Sequence, residues 1–170
     1  MTSFSVSAVQ TASRLPVRNW LRSAVWAGLL SGSLDLIYNF VFWGLSAGVV
    51  PTRILQAIGT GLFGRESYAL GGTSALAGGL AHYFILTVAS FLYIAASARS
   101  ERLARHWIAG GMLFGVAIFF SMKYVIVPLS AATPFQPMST VMLFVNITVH
   151  LLLVGLPIAW VTHYRASRQT

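Results

Sequence analysis

The chain has 170 residues, of which 56% are hydrophobic and 8% charged, a composition that excludes an ordinary soluble domain and is typical of one integral membrane domain. Its 11 Lys and Arg residues outnumber its 3 acids, but the cations lie mainly in predicted tails and loops without interleaved aromatic residues. We therefore expect these cations to contact anionic lipids of a bilayer. We do not expect a nucleic-acid partner. The absence of Cys excludes disulfides, thiolate metal sites and thiol chemistry.

The first apolar run, residues 23–47, predicts a membrane-spanning helix that carries one acid near its centre. It follows a basic, acid-free stretch, 1–22, which we interpret as an N-terminal tail, with an organellar targeting peptide and an organellar membrane as the alternative. One helical stripe contains Gly28, Gly32, Asp35 and Asn39. An unpaired charge in lipid costs about 2.5 to 3.5 kcal/mol, so we expect this stripe to face other helices.

A short amphipathic segment over residues 51–64 separates the first two spans. Its apolar and polar side chains occupy different faces of a helix, with Ile54, Leu55, Ile58 and Leu62 on one face and Arg53, Gln56 and Thr60 off it. This pattern predicts a helix that begins at Pro51 and lies on the membrane surface. The glycines at 59, 61 and 64 indicate flexibility and leave a re-entrant segment as the alternative.

Three more apolar runs predict the remaining spans, over 73–98, 107–127 and 139–164, before a C-terminal tail, 165–170. Pro128 is expected to end the third span, and Pro157 to bend the fourth. The predicted fold class is therefore all-α, an integral membrane four-helix bundle with a short interfacial amphipathic helix between spans one and two.

The cations are distributed unevenly about these spans. Eight arginines lie in the two tails and in the loop after the second span, whereas Arg53 and Arg65 lie on the other side. Because cytoplasmic loops carry an excess of Lys and Arg, this distribution predicts that both termini are cytoplasmic.

Polar side chains from three spans are predicted to lie at similar depths and to form one intramembrane cluster: Asp35, Asn39, His82, Asn146 and His150. Intramembrane Asp and His are typical of proton and ion pathways. The plainer alternative is that these groups make interhelical hydrogen bonds that only specify packing. Lys123 is an additional candidate, but it lies about one turn from the end of its span, and we expect it to extend toward the interface.

Cofactors and catalysis receive little support from the sequence. We expect no cofactor. The depths of His82 and His150 suit a single b-type haem, which is a minor alternative. A zinc site from these two histidines and Asp35 has suitable ligands, but no ligand spacing selects it, so no metal is expected. No hydrolytic or phosphate-binding motif is present, which predicts a protein that is not an enzyme and has no catalytic residues.

Four short stretches carry a family resemblance: Ser-Leu-Asp at 33–35, Pro-Thr-Arg-Ile-Leu-Gln at 51–56 with Gly-Leu-Phe-Gly at 61–64, Ala-His-Tyr at 81–83, and Val-Pro-Leu-Ser at 127–130. In these stretches the chain resembles a family of small bacterial four-helix inner-membrane proteins of unknown function. The resemblance covers about residues 23–163. It implies a four-helix bundle in a bacterial inner membrane, and it supplies no activity and no catalytic residue.

Two classes of function stay open. The first is a small transport or proton-coupled accessory protein that uses the intramembrane polar cluster. The second is a structural or assembly subunit that packs as a homo-oligomer or beside a larger membrane complex. The aromatic residues near the predicted interfaces suit both classes, because they anchor helices in either case.

Overall fold

The computed structural model describes residues 17–133 and 138–167, and these residues form helices and short connections without a strand. Four helices in this part of the chain are long and apolar enough to cross a membrane. The predicted fold class, an all-α four-helix membrane bundle, is confirmed, and the chain is a multi-pass membrane protein. Most of the predicted N-terminal tail, the last three residues and the loop residues 134–137 lie outside the described residues.

The helices follow one another with short connections. They are α1 (Val17–Ala47), α2 (Pro51–Phe63), α3 (Gly72–Ser97), the short α4 (Glu101–Arg105), α5 (Trp107–Leu129) and α6, which begins at Thr140 and ends at Ser167. A 3-10 turn, Gly64–Tyr68, connects α2 to the bend before α3.

Local sequence explains several helix boundaries. Pro51 occupies the first turn of α2, where its missing N–H is not needed. Gly71, with φ at 59°, precedes α3 in a backbone conformation that other residues rarely adopt. At the start of α6 the Ser139 hydroxyl accepts a hydrogen bond from the Met142 N–H at 3.3 Å, a side-chain N-cap.

The long helices pack as two antiparallel pairs, and glycines lie at both contacts. In the α1–α3 pair, a Cβ atom on Gly28 would lie 2.7 Å from the Thr87 backbone nitrogen. In the α5–α6 pair, a Cβ atom on Gly115 would lie 2.2 Å from the His150 carbonyl oxygen. Only glycine permits such close backbone approach, which is how membrane helices gain packing contacts in lipid.

The two pairs join through the second half of α6, which packs against both α1 and α5. The core lies at this junction and consists of Ala27, Leu86, Ala89, Tyr93, Ile118, Val154, Ile158, Ala159 and Val161. Tyr93 is the largest fully buried side chain among the described residues, and its ring centroid lies 5.0 Å from that of Phe114. The junction therefore fixes the position of α1 relative to the other long helices.

Two π-helical segments precede the two prolines of the long helices. Met122–Ile126 comes just before Val127-Pro128, and His150–Gly155 comes just before Leu156-Pro157. Because proline cannot donate to the carbonyl four residues earlier, the preceding turn must redistribute its hydrogen bonds. Helix α5 ends at Leu129, one residue after Pro128 and close to the predicted end of the third span. The backbone before Pro157 is π-helical, and the bend expected there stays a prediction.

Helix α2 buries a different face from the one that amphipathicity suggests. Its buried residues are Gln56, Gly59 and Thr60, so two of the three polar side chains off the apolar face are covered by protein, whereas Arg53 is exposed. The Gln56 amide donates to the Gly71 carbonyl at 3.0 Å, and the Ser67 hydroxyl donates to the Gln56 carbonyl at 2.7 Å. Gly59 is a close-contact position rather than a flexible one, because a Cβ there would lie 2.7 Å from the carbonyl oxygen of Ser74.

Candidate functional site

Asp35 lies close to the middle of the first candidate span, Asn19–Ala47, and is the one acid within the four spans that the structure describes. Its exposed fraction is 8%, and its Oδ1 atom is buried with no hydrogen-bond donor among the described residues. Buried polar atoms of native proteins are almost always hydrogen-bonded, so an unpaired carboxyl oxygen at this depth requires an explanation.

His82, on α3, is the residue that faces Asp35. Its side chain is also buried, with an exposed fraction of 9%, and its Nε2 atom lies 3.9 Å from Asp35 Oδ2. The same Nε2 atom lies 3.1 Å from the Gly32 carbonyl oxygen, within hydrogen-bond distance. Because a carbonyl only accepts, Nε2 carries a proton and donates it to Gly32. In the neutral ring, Nδ1 is then the nitrogen without a proton.

Gly32 allows this arrangement because it has no side chain. A Cβ atom at this position would lie 2.9 Å from a Tyr83 ring carbon and 3.4 Å from His82 Nε2. The rings of His82 and Tyr83 pack edge to face, with centroids 5.7 Å apart. Any larger residue at position 32 would push α3 and its histidine away from the carboxyl group.

A second polar contact beside this pair was not anticipated from the sequence. The hydroxyl oxygens of Ser33 and Tyr83 lie 3.0 Å apart and form a hydrogen bond between α1 and α3. Each residue lies close in sequence to a predicted site residue, and that proximity is the signal that could have identified the contact. The pairing requires the rotation of both helices, which hydropathy does not supply.

The other predicted cluster residues hydrogen-bond within their own helices, and the Asn146 amide also donates to Met138 Sδ, just before α6, at 3.8 Å. The Asn39 amide donates to the Asp35 main-chain carbonyl at 2.9 Å, and the Asn146 amide donates to the Met142 carbonyl at 2.7 Å. His150 Nδ1 lies 2.9 Å from the Asn146 carbonyl. The structure therefore joins Asp35 to His82 across two helices, whereas the polar bonds of Asn39, Asn146 and His150 stay local.

Lys123 lies apart from the Asp35–His82 pair, in the π-helical segment of α5. Its Nζ atom lies 5.5 Å from the ring centroid of Tyr124 and 5.9 Å from that of Phe119. These are cation–π distances, which suit a lysine that extends along its own helix. The only ion-pair partner that the structure gives Asp35 within residues 17–133 and 138–167 is His82.

The geometry also bears on cofactors. Over the described part of the chain, no three His, Asp or Glu side chains are arranged to hold a metal ion, so Asp35, His82 and His150 do not form a three-ligand zinc site there. A haem between the two histidines would have to bind an imidazole whose Nε2 already donates to the Gly32 carbonyl.

The stretches that carry the family resemblance meet in two places. Ser33 and Asp35 meet His82 and Tyr83, as described above. At the other place, the N–H of Ala131, just after the Val-Pro-Leu-Ser stretch, donates to the Gly61 carbonyl at 3.1 Å. The resemblance itself stays a prediction.

Comparisons with models of protein families, with curated proteins and with solved structures find no match to this chain.

Proposed function

We propose that this protein takes up and releases a proton inside the membrane at Asp35, with His82 as the neighbouring base, and that it serves as a small transport or proton-coupled accessory protein. The observation that carries the proposal is the buried Oδ1 of Asp35, which has no hydrogen-bond donor among the described residues. Burial within a membrane span raises the free energy of an ionised carboxyl group, and intramembrane acids are typical of proton pathways.

Packing alone does not account for Asp35. At the same level of the bundle, α1 and α3 are held together by the Ser33–Tyr83 hydrogen bond and by the bond between His82 and the Gly32 carbonyl. Neither bond uses the Asp35 carboxyl. A residue retained only for packing would be expected to join one of these hydrogen bonds, because an unsatisfied buried oxygen costs about 1 to 3 kcal/mol.

The chemistry available to the pair has two states. When Asp35 holds the proton, both side chains are neutral, which suits the low dielectric of the membrane. When Asp35 releases it, the carboxylate lies 3.9 Å from an imidazole that can become positively charged by binding a proton at Nδ1. The opposite charges stabilise each other, so each state is accessible without an isolated charge in lipid.

The distribution of cations supports an orientation with both termini in the cytoplasm, here that of a bacterial inner membrane, which the family resemblance implies. The described arginines of the loop after α3 are Arg99, Arg102 and Arg105, and they lie at the end of the bundle where α3 ends and α5 begins. Only Arg53 and Arg65 lie between α1 and α3 at the opposite end of these helices. This asymmetry is that of the positive-inside rule.

Proton movement in proteoliposomes tests the proposal. Vesicles that contain an internal pH indicator are given a pH gradient, and the decay of the gradient is followed for the wild type and for Asp35→Asn, which is nearly isosteric but cannot exchange a proton. Glu66→Gln is the matched control, because Glu66 is an exposed acid outside the spans. We expect faster decay with wild type and Glu66→Gln than with empty vesicles, and no acceleration with Asp35→Asn.

The melting temperature of each variant separates function from folding. A variant that melts like the wild type and has lost the acceleration assigns proton transfer to Asp35, and Asp35→Glu should then restore part of it. If Asp35→Asn is stable and matches the wild-type rate, Asp35 does not move protons and the packing function stands in its place.

A further inference from the structure

The Nε2–H group of His82 lies between two acceptors on α1. It is 3.1 Å from the Gly32 carbonyl oxygen, to which it donates, and 3.9 Å from Asp35 Oδ2, which is beyond hydrogen-bond distance. The two acceptors therefore compete for one proton, and in this structure the Gly32 carbonyl receives it.

The two acceptors differ in how much they need this donor. Gly32 lies inside α1, where a carbonyl already accepts from the N–H four residues later, so the bond from His82 is its second. The Asp35 carboxyl, by contrast, has a buried oxygen without a donor among the described residues. A neutral carboxyl tolerates this better than a carboxylate does, because hydrogen bonds to a charged group are roughly twice as strong as neutral ones.

We propose that His82 is a positioning residue that changes its acceptor with the charge of Asp35. While Asp35 holds its proton, Nε2–H bonds to the Gly32 carbonyl, and when Asp35 releases the proton, Nε2–H bonds to the carboxylate. A charge-assisted bond of this kind is about 2.8 Å long, so the imidazole and the carboxyl must approach each other by about 1 Å. The inference rests on the proposed function of Asp35 and adds a movement to it.

The exchange changes a close contact between α1 and α3. A Cβ atom on Gly32 would lie 3.4 Å from His82 Nε2, so the imidazole lies directly against the backbone of α1. Its bond to the Gly32 carbonyl holds the two helices together in the neutral state and is lost in the charged state. The charge of Asp35 is thereby linked to the packing of the two helices, as in other switches that act through local electrostatics.

The exchange balances in atoms. Neutral Asp35 gives its proton to water, the O–H bond is the only covalent bond that breaks, and Nε2 of His82 keeps its proton in both states. The charge that remains on the carboxylate is stabilised by the shorter bond from Nε2–H.

Two phenols face this pair. The Asp35 carboxyl acts electrostatically on Tyr38 of α1, and the ring of Tyr83 packs against that of His82, with centroids 5.7 Å apart. Phenols ordinarily ionise at much higher pH than carboxyl and imidazole groups, so neither changes its charge in the range in which Asp35 and His82 titrate.

The charged or titratable groups on the other helices packed against α1 and α3 have contacts elsewhere. Arg53 of α2 lies over the Tyr68 ring, 3.8 Å from its centroid. On α6, His150 Nδ1 lies 2.9 Å from the Asn146 carbonyl of its own helix. We therefore attribute a change at the Gly32 carbonyl to Asp35 and His82 alone.

Isotope labelling reports on this site selectively, because the chain contains one Asp and one Gly-Ser pair. A label at Asp Cγ gives one resonance, that of Asp35, whose frequency reports its charge. Labels at Gly carbonyl carbons and Ser nitrogens select the Gly32 carbonyl through its bond to Ser33. Nitrogen labels in the histidine rings give the distance from His82 Nε2 to Asp35 Cγ. All three are measured by solid-state NMR of the protein in bilayers over a range of pH.

Two changes are expected as the pH rises through the titration of Asp35. The distance from Nε2 to Cγ should shorten by about 1 Å. The Gly32 carbonyl carbon should move to lower frequency, the direction expected for a lost hydrogen bond. Asp35→Asn cannot ionise and should show neither change. Tyr83→Phe is the matched control, because it removes the bond to Ser33 at the same level but keeps the Nε2–H donor, so both changes should persist.

The wild-type protein alone decides the main question, even if a variant is unstable. If the Asp35 resonance titrates while the distance and the Gly32 carbonyl stay constant, this inference alone fails. The inference also fails if Asp35→Asn retains both changes, or if Tyr83→Phe loses them, which would assign them to general loosening of the two helices. If the Asp35 resonance does not titrate in the wild type, the proposed function fails with it.

Discussion

Two adjacent glycines of α3 give a sharp test of how α2 packs on the bundle. A Cβ atom on Gly78 would lie 2.1 Å from the Leu55 carbonyl oxygen and 2.8 Å from the Gly59 nitrogen, both of which are backbone atoms of α2. A Cβ atom on Gly79 would meet only the Leu55 side chain, at 3.7 Å, an ordinary contact. The two positions share one helix and one depth, so they make a matched pair.

The expected difference follows from these distances. Gly78→Ala must move the α2 backbone by about 1.3 Å to restore a 3.4 Å contact, and overpacking of this kind costs about 1 to 3 kcal/mol. Both substitutions gain up to about 1 kcal/mol of helix propensity, which cancels in the comparison. We therefore expect Gly78→Ala to be about 1 to 3 kcal/mol less stable than Gly79→Ala.

Unfolding in mixed micelles with increasing SDS measures this difference, with the helix content as the signal. If Gly78→Ala is at least as stable as Gly79→Ala, α2 does not pack closely on α3, and the buried polar face of α2 has to be assigned differently.

Three further predictions concern the contact near Asp35, the lysine of α5 and the topology. In a double-mutant cycle, Ser33→Ala and Tyr83→Phe should show a coupling of about 0.6 to 2 kcal/mol for their hydrogen bond; additive effects would contradict the contact. Lys123→Met should leave proton movement unchanged, because this side chain lies against aromatic rings, and a loss would place Lys123 in the pathway. An alkaline phosphatase fusion after Met138 should be active and one after Arg102 inactive; the reverse pattern would invert the orientation.

The sequence predicts the four spans well, because each is an apolar run whose length matches the thickness of a bilayer. Lipid cannot hydrogen-bond to the backbone, so every residue of such a run is constrained to be helical. The face that α2 buries could not be predicted in the same way. Amphipathicity assumes that polar side chains face water, but Gln56 and Thr60 are buried, with the Gln56 amide donating to the Gly71 carbonyl and the Thr60 hydroxyl donating to the Ala57 carbonyl of its own helix. The Gly71 carbonyl belongs to a turn whose conformation hydropathy does not encode.

At the candidate site, too, some features are predictable from the sequence and others are not. The depth of Asp35 and the glycine at position 32 are readable from the sequence, and both point to a close helix contact at that level. The choice of His82 as the partner, 3.9 Å from Asp35, depends on the rotation of α3, which a helix of nearly uniform hydropathy does not reveal. The prolines of the last two spans predict irregular backbone, but not that it takes the form of π-helical turns.

The central claim is that Asp35 changes its protonation state inside the membrane. Infrared difference spectroscopy of the reconstituted protein tests this most directly, because the carbonyl stretch of a protonated carboxyl is distinct from the bands of a carboxylate. We predict that the wild type has a carboxyl band that disappears as the pH is raised, that this band persists in Glu66→Gln and Glu101→Gln, and that Asp35→Asn lacks it while keeping the bands of the exposed acids. If the titrating carboxyl bands of Asp35→Asn are the same as those of the wild type, the account is contradicted.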